Sequence, residues 1–397
     1  MNPSAQPLLP GATLGVLGGG QLGRMFAHAA QQMGYFTTVL DPASDSSAGR
    51  VSHHHVHTDF LDGDGLARLA RLADAVTIEF ENVPAQALTS LAGDCRVAPD
   101  MRAVAIAQNR IREKAHFVQC GVPCAPYAVI ESAGDIGKID AALLPGILKI
   151  AQLGYDGKGQ QAVETHEQLS AAWQAVGQAP CVLEQRLALA GECSVVLARG
   201  SDAAMVHFAP QRNTHVEGIL ALTQAYEGAV PAAQAQRAID AARAIAESLN
   251  YVGVLCVEFF ILADGALVIN EMAPRPHNSG HYTLDACDIS QFDLQVRTLA
   301  GLPLSAPRQH SPAVMLNLLG DLWFPQGGDA PQEPPWAAAL ALPGVHLHLY
   351  GKTGPRRGRK MGHLTVTAAS APAVCATAAR AARALGIALP PGHGLTP

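Results

Sequence analysis

Apolar positions at the start of the chain come in short unbroken runs separated by stretches in which they recur every three to four residues. Thr13 to Leu17 is one such run and predicts a buried strand. A glycine turn follows, then a helical stretch from about Gln21 to Met33 and a second strand over Phe36 to Leu40. That order is a βαβ opening, and a further buried strand over Ala75 to Phe80 completes a doubly wound N-terminal domain ending near residue 107. One helix is predicted around Met101 to Cys120. The breaker Gly121-Val122-Pro123 then opens a second domain of mixed strands and helices. Proline and glycine become dense over Pro303 to Pro312 and Pro325 to Pro335, which predicts connections into a smaller C-terminal domain.

Composition narrows the partners. The chain has 397 residues, 49% of them hydrophobic, enough for two or three domains of the usual ~100–200 residues. Its 27 basic and 33 acidic residues give a net charge of -6, which offers no broad electrostatic footprint for nucleic acid and favours small-molecule partners. No apolar run reaches the ~18–20 residues needed to span a bilayer, and Met1 to Gly11 lacks the basic start and apolar core of a signal peptide, so a cytoplasmic protein with no membrane partner is expected. The eight cysteines form no CxxC pair, and Cys120 and Cys124 lack partners for zinc, so free thiols are expected. His53, His54, His55 and His57 have no second ligand cluster and are expected to be a solvated loop.

Three local patterns carry chemistry. Gly18, Gly20 and Gly23 form a GxGxxG between a strand and a helix, with Asp41 ending the next strand, where a dinucleotide fold places its ribose-binding acid. Glycines let backbone amides approach an anion at a helix N-terminus without saying which anion, so a dinucleotide, another phosphate ligand and a plain tight turn stay open. Tyr251 to Glu271 reads as a hairpin about Asp264-Gly265. A two-residue turn there sets Ala263 against Ala266, Leu262 against Leu267, Phe260 against Ile269 and Glu258 against Glu271. Opposed carboxylates ~5 Å apart repel unless a cation lies between them. Oxygen ligands suit Mg²⁺, and Mg²⁺ suggests ATP. A solvated pair at the open end of the hairpin is the alternative, and a one-residue bulge would break the register. Lys149 interrupts the apolar strand Gly146 to Ile150, which runs into the glycine-rich segment Gly154 to Gln160. Such a loop permits amides to fold over phosphates while a strand-borne lysine offers a point charge, and a plain glycine-rich turn with a snorkelling lysine is the alternative.

Near the C-terminus, Lys352-Thr353 after Gly351 is no P-loop, because position 346 is His. Instead Lys352, Arg356, Arg357, Arg359 and Lys360 form a local basic cluster suited to one phosphomonoester, with an exposed loop or an RNA patch as alternatives.

Asn270-Glu271-Met272-Ala273-Pro274-Arg275-Pro276-His277-Asn278-Ser279-Gly280-His281 resembles the signature of the N5-carboxyaminoimidazole ribonucleotide synthetase family. Gly18 to Met25, Thr77 to Pro84, Gly154 to Gln160 and Lys352 to Lys360 with Met361-Gly362-His363 match the same family in the right order. Leu153 departs from it where a second glycine is usual, and Gly327 to Glu333 reads as an insertion.

The resemblance implies α/β and α+β parts in an ATP-grasp fold: a Rossmann-like pre-ATP-grasp domain over 1–107, an ATP-grasp domain of two subdomains over 108–305, and a small C-terminal domain over 306–397. It implies that ATP phosphates meet Arg110, Lys149 and Gly154, Tyr155, Asp156, Gly157, Lys158, Gly159 and Gln160. Glu184, Gln185, Arg186 and Leu187 would form the adenine hinge, Glu192 would hold the ribose, and His215, Asn270 and Glu271 would complete the nucleotide site, with Mg²⁺ on Glu258 and Glu271. Aminoimidazole ribonucleotide would face Gly20, Gln21, Leu22, Glu79 and Tyr155, its phosphate clamped by Lys352 and Arg359. The implied reaction carboxylates that ribonucleotide with bicarbonate and ATP in purine biosynthesis. Arg275, His277 and Asn278 would be at the reacting centre, Asp156 or His277 would take the amine proton, and the assembly would be a homodimer. The rival readings are another ATP-grasp ligase, such as a formate-dependent glycinamide ribonucleotide transformylase, and a nicotinamide dehydrogenase built on Gly18 to Gly23.

Overall fold

The computed structural model describes residues 6–152, 154, 159–325, 328, 330–390 and 392–395. Among these residues the strands form three sheets. The first is five-stranded and parallel: β1 (Thr13–Leu17), β2 (Phe36–Asp41), β3 (His54–His57), β4 (Ala75–Ile78) and β5 (Arg96–Val97) lie in the order β3-β2-β1-β4-β5. Leu14, Val16, Leu17, Val39 and Leu40 have no accessible surface, as apolar runs covered on both faces require. Helix α1 (Gln21–Gln32) packs on this sheet beside a helix supplied from far along the chain, Gln291–Ala300, and Phe26, Ala30, Phe292, Val296 and Leu299 share one core.

Three sequence expectations change here. The helix predicted over Met101 to Cys120 is two, Met101–Ala107 and Arg110–Gln119. Asn109 separates them, its side-chain oxygen accepting the N–H groups of Ile111 and Arg112 at 3.0 and 3.2 Å and so capping a new helix start. Strand β4 stops at Ile78 rather than Phe80, because its neighbour β1 ends at Leu17, whose carbonyl takes the Glu79 N–H at 3.0 Å as the last bond, while the Glu79 side chain meets the glycine turn. The histidine run is an edge strand rather than a loop: it pairs with β2 and buries Val56, leaving His54 and His57 exposed.

The second sheet holds β6 (Tyr127–Ile130), β7 (Gly146–Ile150), β8 (Gln160–Val163) and β9 (Cys181–Gln185), antiparallel in the order β6-β9-β7-β8. The third is a nine-stranded antiparallel sheet of β10 (Leu189–Arg199), β11 (Met205–His207), β12 (Gln211–Val216), β13 (Ile219–Ala225), β14 (Gly253–Leu262), β15 (Leu267–Ala273), β16 (Ala313–Leu319), β17 (Val345–Leu349) and β18 (Lys360–Thr367). Its path runs β15-β14-β10-β12-β13-β16-β18-β17, with β11 on β10. The C-terminal strands therefore extend this sheet through the β13–β16 pair, Leu222 opposite Leu316, rather than forming a separate one. Helix Ala371–Leu385 covers that extension through Val374, Ala378 and Ala382. All eight cysteines are unpaired. Among the described residues no helix is long and apolar enough to cross a membrane.

Candidate active site

The glycine turn already holds an anion. The amides of Gly20, Leu22 and Gly23 converge on the Glu79 carboxylate at 2.8, 3.2 and 3.2 Å, and the Gly19 amide donates to Asp41 at 2.6 Å. A Cβ on Gly18 would lie 2.5 Å from Glu79 Cγ, and one on Gly20 2.5 Å from Glu79 Oε1. These glycines let the backbone close on a carboxylate of its own chain, at the point where a helix N-terminus favours negative charge. Burial raises the Glu79 pKa while these amides oppose the shift. A dinucleotide's pyrophosphate would have to displace Glu79, so the dehydrogenase reading is dropped.

The acid pair is opposed, by a route different from the predicted one. The hairpin turns over three residues: Leu262 N–H donates to Ala266 O at 2.8 Å, Gly265 sits at φ +81°, and Asp264 accepts the Ala266 N–H at 2.8 Å. That shifts the register by one, so Phe260 faces Val268, Ile261 faces Leu267, and Ile269 faces Phe259. A bulge between Phe259 and Glu258 then restores the count, and Glu258 stands opposite Glu271. Arg110, at the start of its Asn109-capped helix, meets Glu271 at 3.1 Å. Burial lifts Glu258 to about 7, and Glu271 adds to the rise against the opposing charge of His215. Burial also works to raise Glu271, but Arg110 and Lys149 outweigh it and hold that carboxyl below its usual range.

Behind the pair lies a second ionic group. Lys149 on β7 and Lys114 on helix Arg110–Gln119 both reach Glu184 Oε2, at 3.1 and 3.2 Å, with all three side chains buried. Lys114 also donates to Asn270 O at 3.2 Å. Glu113 accepts the Met272 amide at 2.8 Å and is pushed up to about 8 by burial, against the pull of Arg110. Sequence reasoning missed Lys114 and Glu113. The signal was there: Arg110, Glu113 and Lys114 stand at helical spacing on one face.

Apart from the fully buried Lys114, these groups line one cavity of about 990 Å³. Glu192 and His215 pair across its wall, and His215 is raised to about 9, because the Glu192 hydrogen bond and the fields of Glu258 and Glu271 overcome the effect of burial. Arg275 pairs with Glu81, whose role as its partner the sequence reading did not assign. His277 Nε2 lies 3.3 Å from Glu258 Oε1. The His277 backbone is clamped from both sides by the amide of Gln291, which accepts its N–H at 2.9 Å and donates to its carbonyl at 2.8 Å. Burial, with Arg275 and Lys360 nearby, keeps the imidazole well below its usual range. Glu184 Oε1, Glu258 Oε1, Asn270 Oδ1 and both amide atoms of Asn278 are buried without hydrogen-bond partners among the described residues. Buried polar atoms normally find partners, so a set of orphans around one cavity marks where ligand atoms belong.

Gln21, Leu22, Gly154, Gln160, Gln185, Arg186 and Leu187 line the same cavity, and so do Lys352 and Arg359, whereas Gly20 and Gly159 do not. Lys352 donates to Lys360 O at 2.7 Å, and Arg359 donates to the carbonyls of Thr353 and Gly354 at 2.7 and 2.9 Å. Tyr155, Asp156, Gly157 and Lys158, together with Leu153 and part of the Gly327 to Glu333 segment, lie outside the described residues.

Among the described residues, Asp285, His348 and His363 bring possible metal-ligand atoms within 4.8 Å of one another. The His348 and His363 rings are stacked at 4.5 Å and 12°. Their lone pairs therefore lie in nearly parallel planes instead of converging on one ion, His363 Nδ1 is already 3.0 Å from the Tyr350 hydroxyl, and Asp285 pairs with His348 at 2.8 Å.

Family models match along the chain: a ribonucleotide synthetase preATP-grasp domain over residues 11–108, an ATP-grasp domain over 115–292 and a phosphoribosylaminoimidazole carboxylase C-terminal domain over 313–377. An N5-carboxyaminoimidazole ribonucleotide synthase of Brucella melitensis is 42% identical over 365 residues, covering 90% of this chain and 97% of that protein. The crystal structure of N5-carboxyaminoimidazole synthetase from Staphylococcus aureus complexed with ADP is 34% identical with a TM-score of 0.87, covering 96% of this chain and 98% of that one. That of the Aspergillus clavatus synthase in complex with ADP and 5-aminoimidazole ribonucleotide is 30% identical with a TM-score of 0.86, covering 96% and 100%. The chain belongs to the N5-carboxyaminoimidazole ribonucleotide synthase family of ATP-grasp ligases.

Proposed function

We propose that this chain carboxylates 5-aminoimidazole ribonucleotide with bicarbonate, converting ATP to ADP and phosphate through carboxyphosphate, in purine biosynthesis. One observation carries the reading: a single cavity runs from the Glu258–Glu271 pair, Lys149 and the β9 hinge to Lys352 and Arg359. A nucleotide at one end and a phosphorylated amine at the other would thus meet around His277, Asn278 and Arg275.

Bicarbonate is a poor electrophile, and phosphorylation turns one of its oxygens into a leaving group. In this reading Lys149 and Arg110 hold the phosphates, a positioning and electrostatic task that makes up most of phosphoryl-transfer catalysis. The orphaned Oε1 of Glu258 opposite the Glu271 carboxylate, an all-oxygen donor set, fits Mg²⁺. Bound there, the ion would neutralise charge on the phosphates. Arg275 and the Asn278 amide stabilise the anionic carbonyl group, while Lys352 and Arg359 anchor the ribonucleotide phosphate so that its amine faces that group. Asp156 or His277 takes the amine proton. The functional division into 1–107, 108–305 and 306–397, a homodimeric state and a cytoplasmic location belong to the same proposal and rest on family membership.

Measuring ADP release with bicarbonate and each candidate amine tests it. Release that depends on aminoimidazole ribonucleotide is expected; release supported instead by glycinamide ribonucleotide and formate would overturn it.

A further inference from the structure

A line of buried polar side chains crosses the large sheet behind His277. Thr223 on β13 donates to Asn213 Oδ1 on β12 at 3.0 Å. Asn213 Nδ2 donates to Ser194 Oγ on β10 at 2.7 Å. Ser194 Oγ is 2.8 Å from Ser279 Oγ, which is 2.8 Å from His277 Nδ1. The Gln211 amide stands beside both hydroxyls, 3.1 Å from Ser279 Oγ. Thr223, Ser194, Ser279 and Gln211 have no accessible surface, and Asn213 has 3%. The strands run β13-β12-β10-β14 in the sheet, so the line passes laterally from β13 to Glu258 on β14, against which His277 rests.

The direction of the line can be read from its donors. The Ser279 backbone N–H, which can only donate, points to His277 Nδ1 at 3.3 Å. In the neutral ring Nδ1 is therefore the acceptor and the proton sits on Nε2. With Nδ1 the acceptor, the Ser279 hydroxyl 2.8 Å away donates to it, and Ser279 Oγ is left to accept from the Ser194 hydroxyl, whose own oxygen accepts from Asn213. Whichever way the Gln211 amide faces, the backbone N–H at 3.3 Å favours the same tautomer, and the closer Ser279 hydroxyl at 2.8 Å is what holds it. An apolar rung at these positions would pack a sheet interior at less desolvation cost. A satisfied polar line that ends on one imidazole has orientation as its physical result.

We propose that Ser279, Ser194, Asn213 and Thr223 are positioning residues that hold His277 as an Nε2–H donor aimed into the cavity beside Glu258. The group it would face is the bicarbonate-derived anion, so this assignment rests on the proposed carboxylation. It gives His277 a donor's task at Nε2, and proton removal from the amine then falls to another group.

The test combines ¹⁵N NMR of histidine-labelled protein, with His277 assigned by its loss in His277→Asn, and steady-state kinetics. The wild type is expected to show a protonated Nε2 and an unprotonated Nδ1. Ser279→Ala removes the hydroxyl at 2.8 Å and leaves only the longer backbone N–H contact at 3.3 Å on Nδ1, so part of the population should move to the Nδ1–H tautomer and kcat should fall roughly 10–100-fold, the range for losing a group that orients a metal-bound histidine, with the KM for ATP unchanged. Ser279→Thr, which restores a hydroxyl, should recover the tautomer. Ser194→Ala should act in the same direction with a smaller effect, and it carries the test if Ser279→Ala does not fold. A proton on Nδ1 in the wild type overturns the proposal, as does a Ser279→Ala or, in its place, Ser194→Ala variant with unchanged tautomer and kcat. Loss of the carboxylation reading would show separately, as wild-type ADP release indifferent to aminoimidazole ribonucleotide.

Discussion

Lys149 and Glu184 face each other at 3.1 Å across two neighbouring strands, and Lys114 approaches the same carboxylate oxygen at 3.2 Å from a helix. One buried carboxylate thus serves two buried ammonium groups, and its own pKa is held down because the lysines outweigh the effect of burial. Removing the shared partner strands two charges inside the protein. Glu184→Gln is expected to cost about 3–5 kcal/mol, the usual penalty for breaking a buried pair. A clear drop in the thermal unfolding midpoint checks this, and a midpoint equal to the wild type would mean that water reaches the lysines.

Glu258→Gln and Glu271→Gln should each abolish ADP formation while circular dichroism stays native, since each removes one charge from an all-oxygen cation site. Near-normal turnover in either variant would show that the opposed acids do not hold the catalytic ion.

Lys352 and Arg359 separate substrate from nucleotide. Alanine at either should raise the requirement for aminoimidazole ribonucleotide about ten- to hundredfold, the equivalent of one charge-assisted hydrogen bond, with ATP affinity little changed. Kinetics with the two substrates varied independently decide it, and a wild-type ribonucleotide requirement in both variants would move the phosphate elsewhere. Because Arg359 also binds the carbonyls of Thr353 and Gly354, its variant should be the more damaging of the two.

His215 supplies a pH prediction. Its folded value of about 9 lies above the ~6.5 of a free histidine. The stabilisation from its pairing with Glu192 is therefore complete below about pH 6.5 and lost as the pH rises through about 9. In nucleotide-free protein the melting-point difference between wild type and Glu192→Gln should shrink across that window. A constant difference from pH 6 to pH 10 would sink this assignment.

Local signals along the chain sufficed for much of this protein. The runs over Thr13 to Leu17 and Gly146 to Ile150 became strands with those same limits, because an apolar run between breakers has few other places to go. The hairpin announced itself through Asp264-Gly265, and the acids at Glu258 and Glu271 did meet, although a three-residue turn and a bulge each moved the register and together cancelled. Turn type depends on backbone angles at a few residues, which the side-chain pattern constrains only weakly. The basic loop over Lys352 to Lys360 stood out as charge in a nearly neutral chain.

Tertiary structure decided which distant groups became partners. The glycine turn advertised an anion site, yet its occupant is Glu79, 59 residues beyond Gly20; a helix N-terminus binds whichever negative charge the fold brings within reach. Glu184 could be read as one residue of a hinge, but its two lysines arrive from a helix and a strand that no sequence spacing relates to it. Likewise Arg275 meets Glu81 from another domain's motif, and β16 continues a sheet begun more than a hundred residues earlier at β10. Periodicity and turn chemistry are short-range properties and were legible. The pairing of buried charges and the order of strands are set by packing the whole chain at once, with every buried charge driven to find a counter-charge, and only the folded chain shows which ones it found.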